Sequence, residues 1–191
     1  MKDILVRDDP RLAGRASRYS TWPHIREQSI GEHCWQILRI LLTIHPGASP
    51  ELLRYTVFHD NGELTAGDPP YPVKLENPVF AEEHGRIEDA GLQLQIDSWD
   101  IRGIPAKVRM SRDDLWVFKL AEFIEMWEWG LEEQLLGNQF AALVSKRCLD
   151  AIRERTKDYP AWVALETCGV IDRATGYVAQ RQRTWPTGES V

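Results

Sequence analysis

Two short stretches place strong metal ligands side by side: Glu32-His33, and His59-Asp60 some twenty-five residues on. Imidazole nitrogen and carboxylate oxygen together suit Zn, Mn, Fe, Co or Ni, according to geometry. Neighbouring residues on a helix point about 100° apart. His59 and Asp60 can therefore converge on one ion only from a helix end that faces a cavity. Such an end is provided for, because Phe58 precedes the pair and a Gly/Pro-rich stretch follows it. Taken singly, these residues say little. A lone histidine beside an apolar helix is more often a satisfied core residue than a ligand, and an aspartate at a helix end is usually capping or solvated. His-Asp as a dipeptide arises by chance in many proteins.

The elements that must position these groups read as helices. Cys34 to Ile44 is nearly apolar all round and stops at His45-Pro46-Gly47, as a buried helix does. Ser49-Pro50 is an N-cap with proline at the first helical position, opening a helix that ends near Asn61-Gly62. Residues 65–78 hold four prolines and Gly67, which predicts a structured loop. A helical pattern returns from Val79 to about Ile96, with Val79, Phe80, Ile87, Ala90 and Leu94 along one stripe. Ser111 to Asp114 opens another helix, with acids in its first turn; Val117, Leu120, Ala121, Ile124 and Trp127 continue it at helical steps. Gly130 is expected to interrupt that helix, with a last long one running from Leu131 to about Arg155. Nothing alternates with period two for long enough to make a strand. The expected class is all-α, a single-domain helical bundle over residues 1–170, with residues 171–191 as a polar C-terminal extension.

Composition narrows the function. A net charge of −6 and a pI near 5.4 argue against binding a nucleic acid polymer, which calls for a basic face. A small anionic substrate remains compatible, since a pocket can be locally basic on an acidic protein. No stretch approaches ~18 consecutive apolar residues, so no membrane span is expected. The N-terminal residues lack the apolar run and small-residue cleavage site of a secretory signal. Cys34, Cys148 and Cys168 are odd in number and unclustered, which fits free thiols in a reducing compartment, hence the cytoplasm. Eight tryptophans are many for 191 residues, but the count alone carries no function.

Context sharpens the two ligand stretches. Arg18-Tyr19 stands fifteen residues before His33, followed by Gln28-Ser29 and Glu32-His33-Cys34-Trp35; His59-Asp60 is followed by Glu63, Gly67-Asp68-Pro69 and Pro72-Val73-Lys74. This order resembles the HD-domain phosphohydrolases, specifically their short 5′-deoxynucleotidase branch, over roughly residues 15–127. Phage-encoded relatives of that branch, dATP triphosphohydrolases among them, carry a similar run from the Arg-aromatic pair to Glu-His-x-Trp.

The resemblance implies one divalent metal ion (Co, Mn, Zn, Mg, Ni or Fe) held by His33, His59 and Asp60. The family's fourth ligand is an aspartate in Lys-x-Ala-Asp; the matching stretch here is Lys119-Leu120-Ala121-Glu122, so Glu122 is the expected fourth ligand, its carboxylate carried about 1.5 Å further by the extra methylene. Glu63 would orient or deprotonate the attacking water, or protonate the leaving oxygen. Arg18 would bind phosphate through its charged fork, with Lys74 and Lys119 adding point charges. Asp68 would accept from a sugar hydroxyl, and Tyr19 would stack on a base. The implied substrate is a small deoxynucleotide, as a 5′-deoxynucleotidase or, alternatively, a dATP-like triphosphohydrolase. The implied assembly is a homodimer, with the tryptophan-rich helix from Trp116 to Trp129 offering an apolar face, and a phage-encoded chain would work in the host cytoplasm. A di-iron oxygenase is disfavoured because His24, His45 and His84 lack the spacing to hold a second iron. The aspartate-to-glutamate change keeps a catalytically idle nucleotide-binding protein in view.

Overall fold

Serines start three of the helices that matter. Ser29 Oγ accepts from the Glu32 N–H (3.1 Å), Ser49 Oγ from Leu52 (3.1 Å) and Ser111 Oγ from Asp114 (2.9 Å), each cap being worth about 1 kcal/mol. The computed structural model describes residues 8–19, 22–104 and 110–184. In chain order these form α1 (Pro10–Ala13), α2 (Ile30–Ile44), α3 (Pro50–Phe58), α4 (Glu63–Ala66), α5 (Tyr71–Glu76), α6 (Pro78–Trp99), α7 (Arg112–Leu135), α8 (Ala141–Thr156) and α9 (Ala161–Thr184). An isolated bridge between Ser17 and Ser29 is the only β pairing among the described residues, and the fold is all-α as expected. No helix among them is long and apolar enough to cross a membrane.

The core lies between α2, α3, α7, α8 and α9. Ile37, Ile40, Leu41 and Ile44 of α2 meet Leu120, Ala121 and Ile124 of α7, with Leu52, Val144, Ile152, Val163 and Val170 closing round them. Trp127 and Trp129 are buried in this same core. Trp116 and Phe123 of the same helix are half-buried.

Four local expectations are corrected. The segment 65–78 is not one loop: α4 and α5 lie in it, α5 beginning with proline in its first turn, where the missing N–H is no loss. Helix α7 passes straight through Gly130 to Leu135, and the break falls at Leu136-Gly137, where Gly137 has φ +102°. Gly130 serves close approach instead, since a Cβ there would lie 2.3 Å from Ser145 Oγ of α8. The apolar stripe expected to bury α6 faces outward: Val79 is 73% exposed and Ile87 49%. Its inner face carries His84, Gly91 and Gln95, of which His84 and Gln95 are hydrogen-bonded to the neighbouring turns. Finally, α9 continues unbroken from Ala161 to Thr184, with Ile171 and Ala174 packed on the core. The boundary drawn after residue 170 falls inside that helix, and residues 185–191 lie outside the described ones.

Candidate metal centre and pocket

His33 occupies the first turn of α2 on its buried face, and His59 and Asp60 form the turn directly after α3. That turn is held from outside by α6. Asn61 Nδ2 donates to Gln95 Oε1 (3.1 Å), and Gln95 Nε2 donates back to the Asn61 carbonyl (3.0 Å). Gly62 lets α6 come this near, because a Cβ at that position would sit 2.0 Å from the Glu88 carbonyl oxygen.

The three expected ligands converge. His33 Nε2 lies 3.2 Å from Asp60 Oδ2 and His59 Nε2 lies 3.2 Å from Asp60 Oδ1. One ligand atom from each of the three falls within 4.8 Å of the others. Both Nε2 atoms are buried without a hydrogen-bond partner, an arrangement that is costly unless something else satisfies them. The opposite ring nitrogens are accounted for: His59 Nδ1 faces the Thr56 carbonyl (2.8 Å) and His33 Nδ1 faces Glu125 Oε2 (2.8 Å). Two imidazoles held by Nδ1, with free Nε2 atoms beside a carboxylate, are the donor set a divalent cation takes. These residues fit a metal.

Electrostatics agree. Burial would raise the Asp60 carboxyl, but His59 and His33 outweigh it and hold it well below the ordinary range. Burial would likewise lower His59, and Asp60 and Cys34 overcome that, holding it well above its usual value. Glu63, the first residue of α4, has an unpartnered buried Oε2. Its carboxyl is pushed up to about 10 by burial and by Asp60, Asp68 and Glu88, against the lowering pull of Arg18.

A pocket of about 310 Å³ opens over this cluster, lined by Arg18, Lys74, Lys119, Asp68, Glu122 and the aromatics Trp22, Tyr55 and Phe118, among others. All the polar residues expected from the sequence line it except His33, which sits beneath Asp60. Glu122 is on the pocket wall, outside the group of three, with Oε2 paired to Lys119 Nζ at 2.7 Å. Asp68 accepts from the Tyr19 backbone N–H (3.1 Å), Tyr19 adopting φ 57°. Arg18 is buried beside His33 and also lines the pocket.

Tyr19 departs from its expected role. Its ring is buried, stacked on Trp129 with centroids 4.1 Å apart, and the Arg18 guanidinium lies 4.8 Å from its centroid. Its ring is committed to packing within the protein, only 6% exposed at the pocket edge. Trp22 is half-buried at the pocket and meets Tyr19 and Phe140 at tilted or edge geometry. Sequence reasoning also missed Glu125. A carboxylate directly after Ile124, on the buried face of α7, was the signal that could have found it.

No protein-family model matches the chain. A 5′-deoxynucleotidase of Vibrio vulnificus is 29% identical over 152 residues, covering 70% of this chain and 78% of the relative. A 5′-deoxynucleotidase of Photobacterium profundum is 26% identical over 160 residues, covering 74% and 82%. The 5′-deoxynucleotidase YfbR of Salmonella arizonae is 24% identical over 161 residues, covering 76% and 73%. Among solved structures, the cyanophage S-2L HD phosphohydrolase DatZ, bound to dA and one catalytic Zn²⁺ ion, superposes with a TM-score of 0.67 at 16% identity, covering 94% of this chain and 99% of that one. That likeness establishes the fold.

Proposed function

Because this chain is a relative of the 5′-deoxynucleotidase branch of the HD-domain phosphohydrolases, we propose that it is a metal-dependent phosphohydrolase acting on a small deoxynucleotide. Within that class we assign it the 5′-deoxynucleotidase reaction, from deoxynucleoside monophosphate and water to deoxynucleoside and phosphate. The observation that carries the reading is the pair of buried, unpartnered Nε2 atoms of His33 and His59 flanking Asp60. Those three residues, with Glu122 as the fourth, would hold a divalent cation that lowers the pKa of a water and polarises a phosphoryl oxygen.

The other residues divide the remaining work. Burial would lower Arg18, but the ionised Glu125 and Asp60 carboxylates outweigh it and keep the guanidinium charged, and its fork suits phosphoryl oxygens. Glu63 manages the proton. Lining the pocket beside Asp60, it is suited to orient or deprotonate the attacking water, or to give a proton to the departing 5′ oxygen as the P–O5′ bond breaks and the water–phosphorus bond forms. Asp68, fixed by the Tyr19 N–H, would accept from a sugar hydroxyl, while Trp22 would cover the base.

The alternative is release of triphosphate from a deoxynucleoside triphosphate such as dATP. Charge favours the monophosphate. Arg18, Lys74 and Lys119 share the pocket lining with Asp60, Glu63, Asp68, Glu88, Asp89 and Glu122, and Lys119 is paired with Glu122. A longer phosphate chain would want more cations than acids. Incubating the protein with dAMP and dATP, each with Mn, Co or Mg, and identifying the product tests both: phosphate from dAMP is expected, and triphosphate from dATP establishes the alternative. Nucleotide binding without product under every metal would leave an idle binding protein and overturn the assignment. A homodimer in the cytoplasm belongs to the same reading, with analytical ultracentrifugation as its test.

A further inference from the structure

His33 Nδ1 has two buried neighbours of opposite character. Glu125 Oε2 lies 2.8 Å away and accepts, while Arg18 Nη1, which can only donate, is in close contact with the same nitrogen. One imidazole nitrogen can serve only one of them. If Nδ1 carries the proton and donates to Glu125, Nε2 keeps its lone pair free on the Asp60 side. If Nδ1 accepts from Arg18 instead, the proton sits on Nε2, 3.2 Å from Asp60 Oδ2, and that nitrogen cannot ligate. The neighbours of His33 therefore decide whether it is a metal ligand at all.

Glu125 is built into place. It and Gln28 are each only 2% exposed. Gln28 Nε2 donates to Glu125 Oε1 at 2.6 Å, leaving Oε2 for His33, and Arg18 Nη1 lies 3.5 Å from the same Oε2. An acid buried this deeply is expensive to keep without partners, and all three of its partners belong to the cluster around His33. His59 obtains the same orientation from the Thr56 carbonyl, an acceptor present in any helix. For His33 the acceptor is a side chain from α7, 92 residues away.

We infer that Glu125 is a positioning residue, which together with Gln28 holds His33 in the tautomer whose Nε2 is free to bind the cation, against the competing donor Arg18. The inference rests on the metal-dependent reading above. Glu125 also borders a second cavity, of about 350 Å³, walled by Gln36 and Arg39 of α2, Glu128 and Trp129 of α7, and Arg173 of α9. Truncating Glu125 would join the vacated space to that cavity, so a small carboxylate could enter it.

The test uses the full chain with Glu125→Gln and Glu125→Ala, checked for fold by circular dichroism. In metal-free protein, ¹⁵N-histidine NMR should find the His33 proton on Nδ1 in the wild type and moved to Nε2 in Glu125→Ala. Affinity for Zn²⁺ or Co²⁺ should fall about 10- to 100-fold in the variants. Formate or acetate, unlike chloride at equal ionic strength, should restore both the tautomer and the affinity in Glu125→Ala. Glu125→Gln, which preserves volume, serves if the alanine variant does not fold. Folded variants with an unchanged His33 tautomer and unchanged metal affinity would overturn the inference while leaving the metal site standing. A wild type that binds no divalent ion would overturn both.

Discussion

Replacing Glu63 by glutamine keeps the size of the side chain and removes a carboxyl that the folded protein resists ionising. In the folded, metal-free chain that group titrates at about 10, against 4.5 when unperturbed. Below about pH 4.5 it is protonated in both states and is no burden; as pH rises toward 10 the unfolded chain ionises it, and folding must restore the proton. Stability is therefore lost as pH rises through this window. At about pH 7.5, some three units above the unperturbed value, the burden has a ceiling of about 4 kcal/mol, and at about pH 5 it is near 1 kcal/mol. The pocket above Glu63 holds about 310 Å³, and water there relieves part of the desolvation, leaving a net of about 2 kcal/mol. For a chain of this size that is a rise in Tm of about 4–8 °C. Thermal unfolding of EDTA-treated wild type and Glu63→Gln, followed by circular dichroism, should show the variant melting higher at about pH 7.5 and nearly equal at about pH 5, while its turnover drops by about 10²–10⁴. Equal melting differences at both pH values, or a variant less stable at the higher one, would refute the argument that Glu63 is held neutral.

His59→Ala and Asp60→Ala should each abolish metal-dependent phosphate release while leaving the helical circular dichroism intact; full activity in either would remove the metal assignment. Trp129→Ala, at a residue only 2% exposed and stacked on Tyr19, should cost about 3–5 kcal/mol in chemical denaturation and, by loosening Tyr19, lower kcat/KM as well. Trp22→Ala should raise KM by about tenfold through loss of roughly 1–3 kcal/mol of base stacking, with kcat nearly unchanged. A kcat effect from Trp22 with KM constant would place the base elsewhere.

Much of this molecule is legible in local sequence because its cause is local. Ser29, Ser49 and Ser111 cap the helices they precede, the prolines near residue 70 allow only loops or first turns, and the apolar run in α2 supplies a buried face of Ile37, Ile40, Leu41 and Ile44 while Trp35 and Leu42 stay exposed. Through the family resemblance, the dipeptide His59-Asp60 at a helix end, with Glu63 and Asp68 following, points to residues that line the pocket. Other features arise between elements. Gly130 reads as a helix breaker, yet it lets α8 approach, and the apolar side of α6 reads as its inner face, yet Val79 and Ile87 are exposed. The face a helix buries depends on what packs against it, and α6 is held through His84 and Gln95 by hydrogen bonds to the turns beside it.

The amino-acid order alone determined the helical class, which depends on local residue type and spacing, while the resemblance implied His33, His59 and Asp60, the three residues the fold brings within 4.8 Å of one another. Tertiary structure alone decided that Tyr19 is spent on Trp129 and that Glu125 reaches His33 across 92 residues. Hydrogen bonds and ring contacts over such separations are created only when the helices dock, and no periodicity in the chain records them.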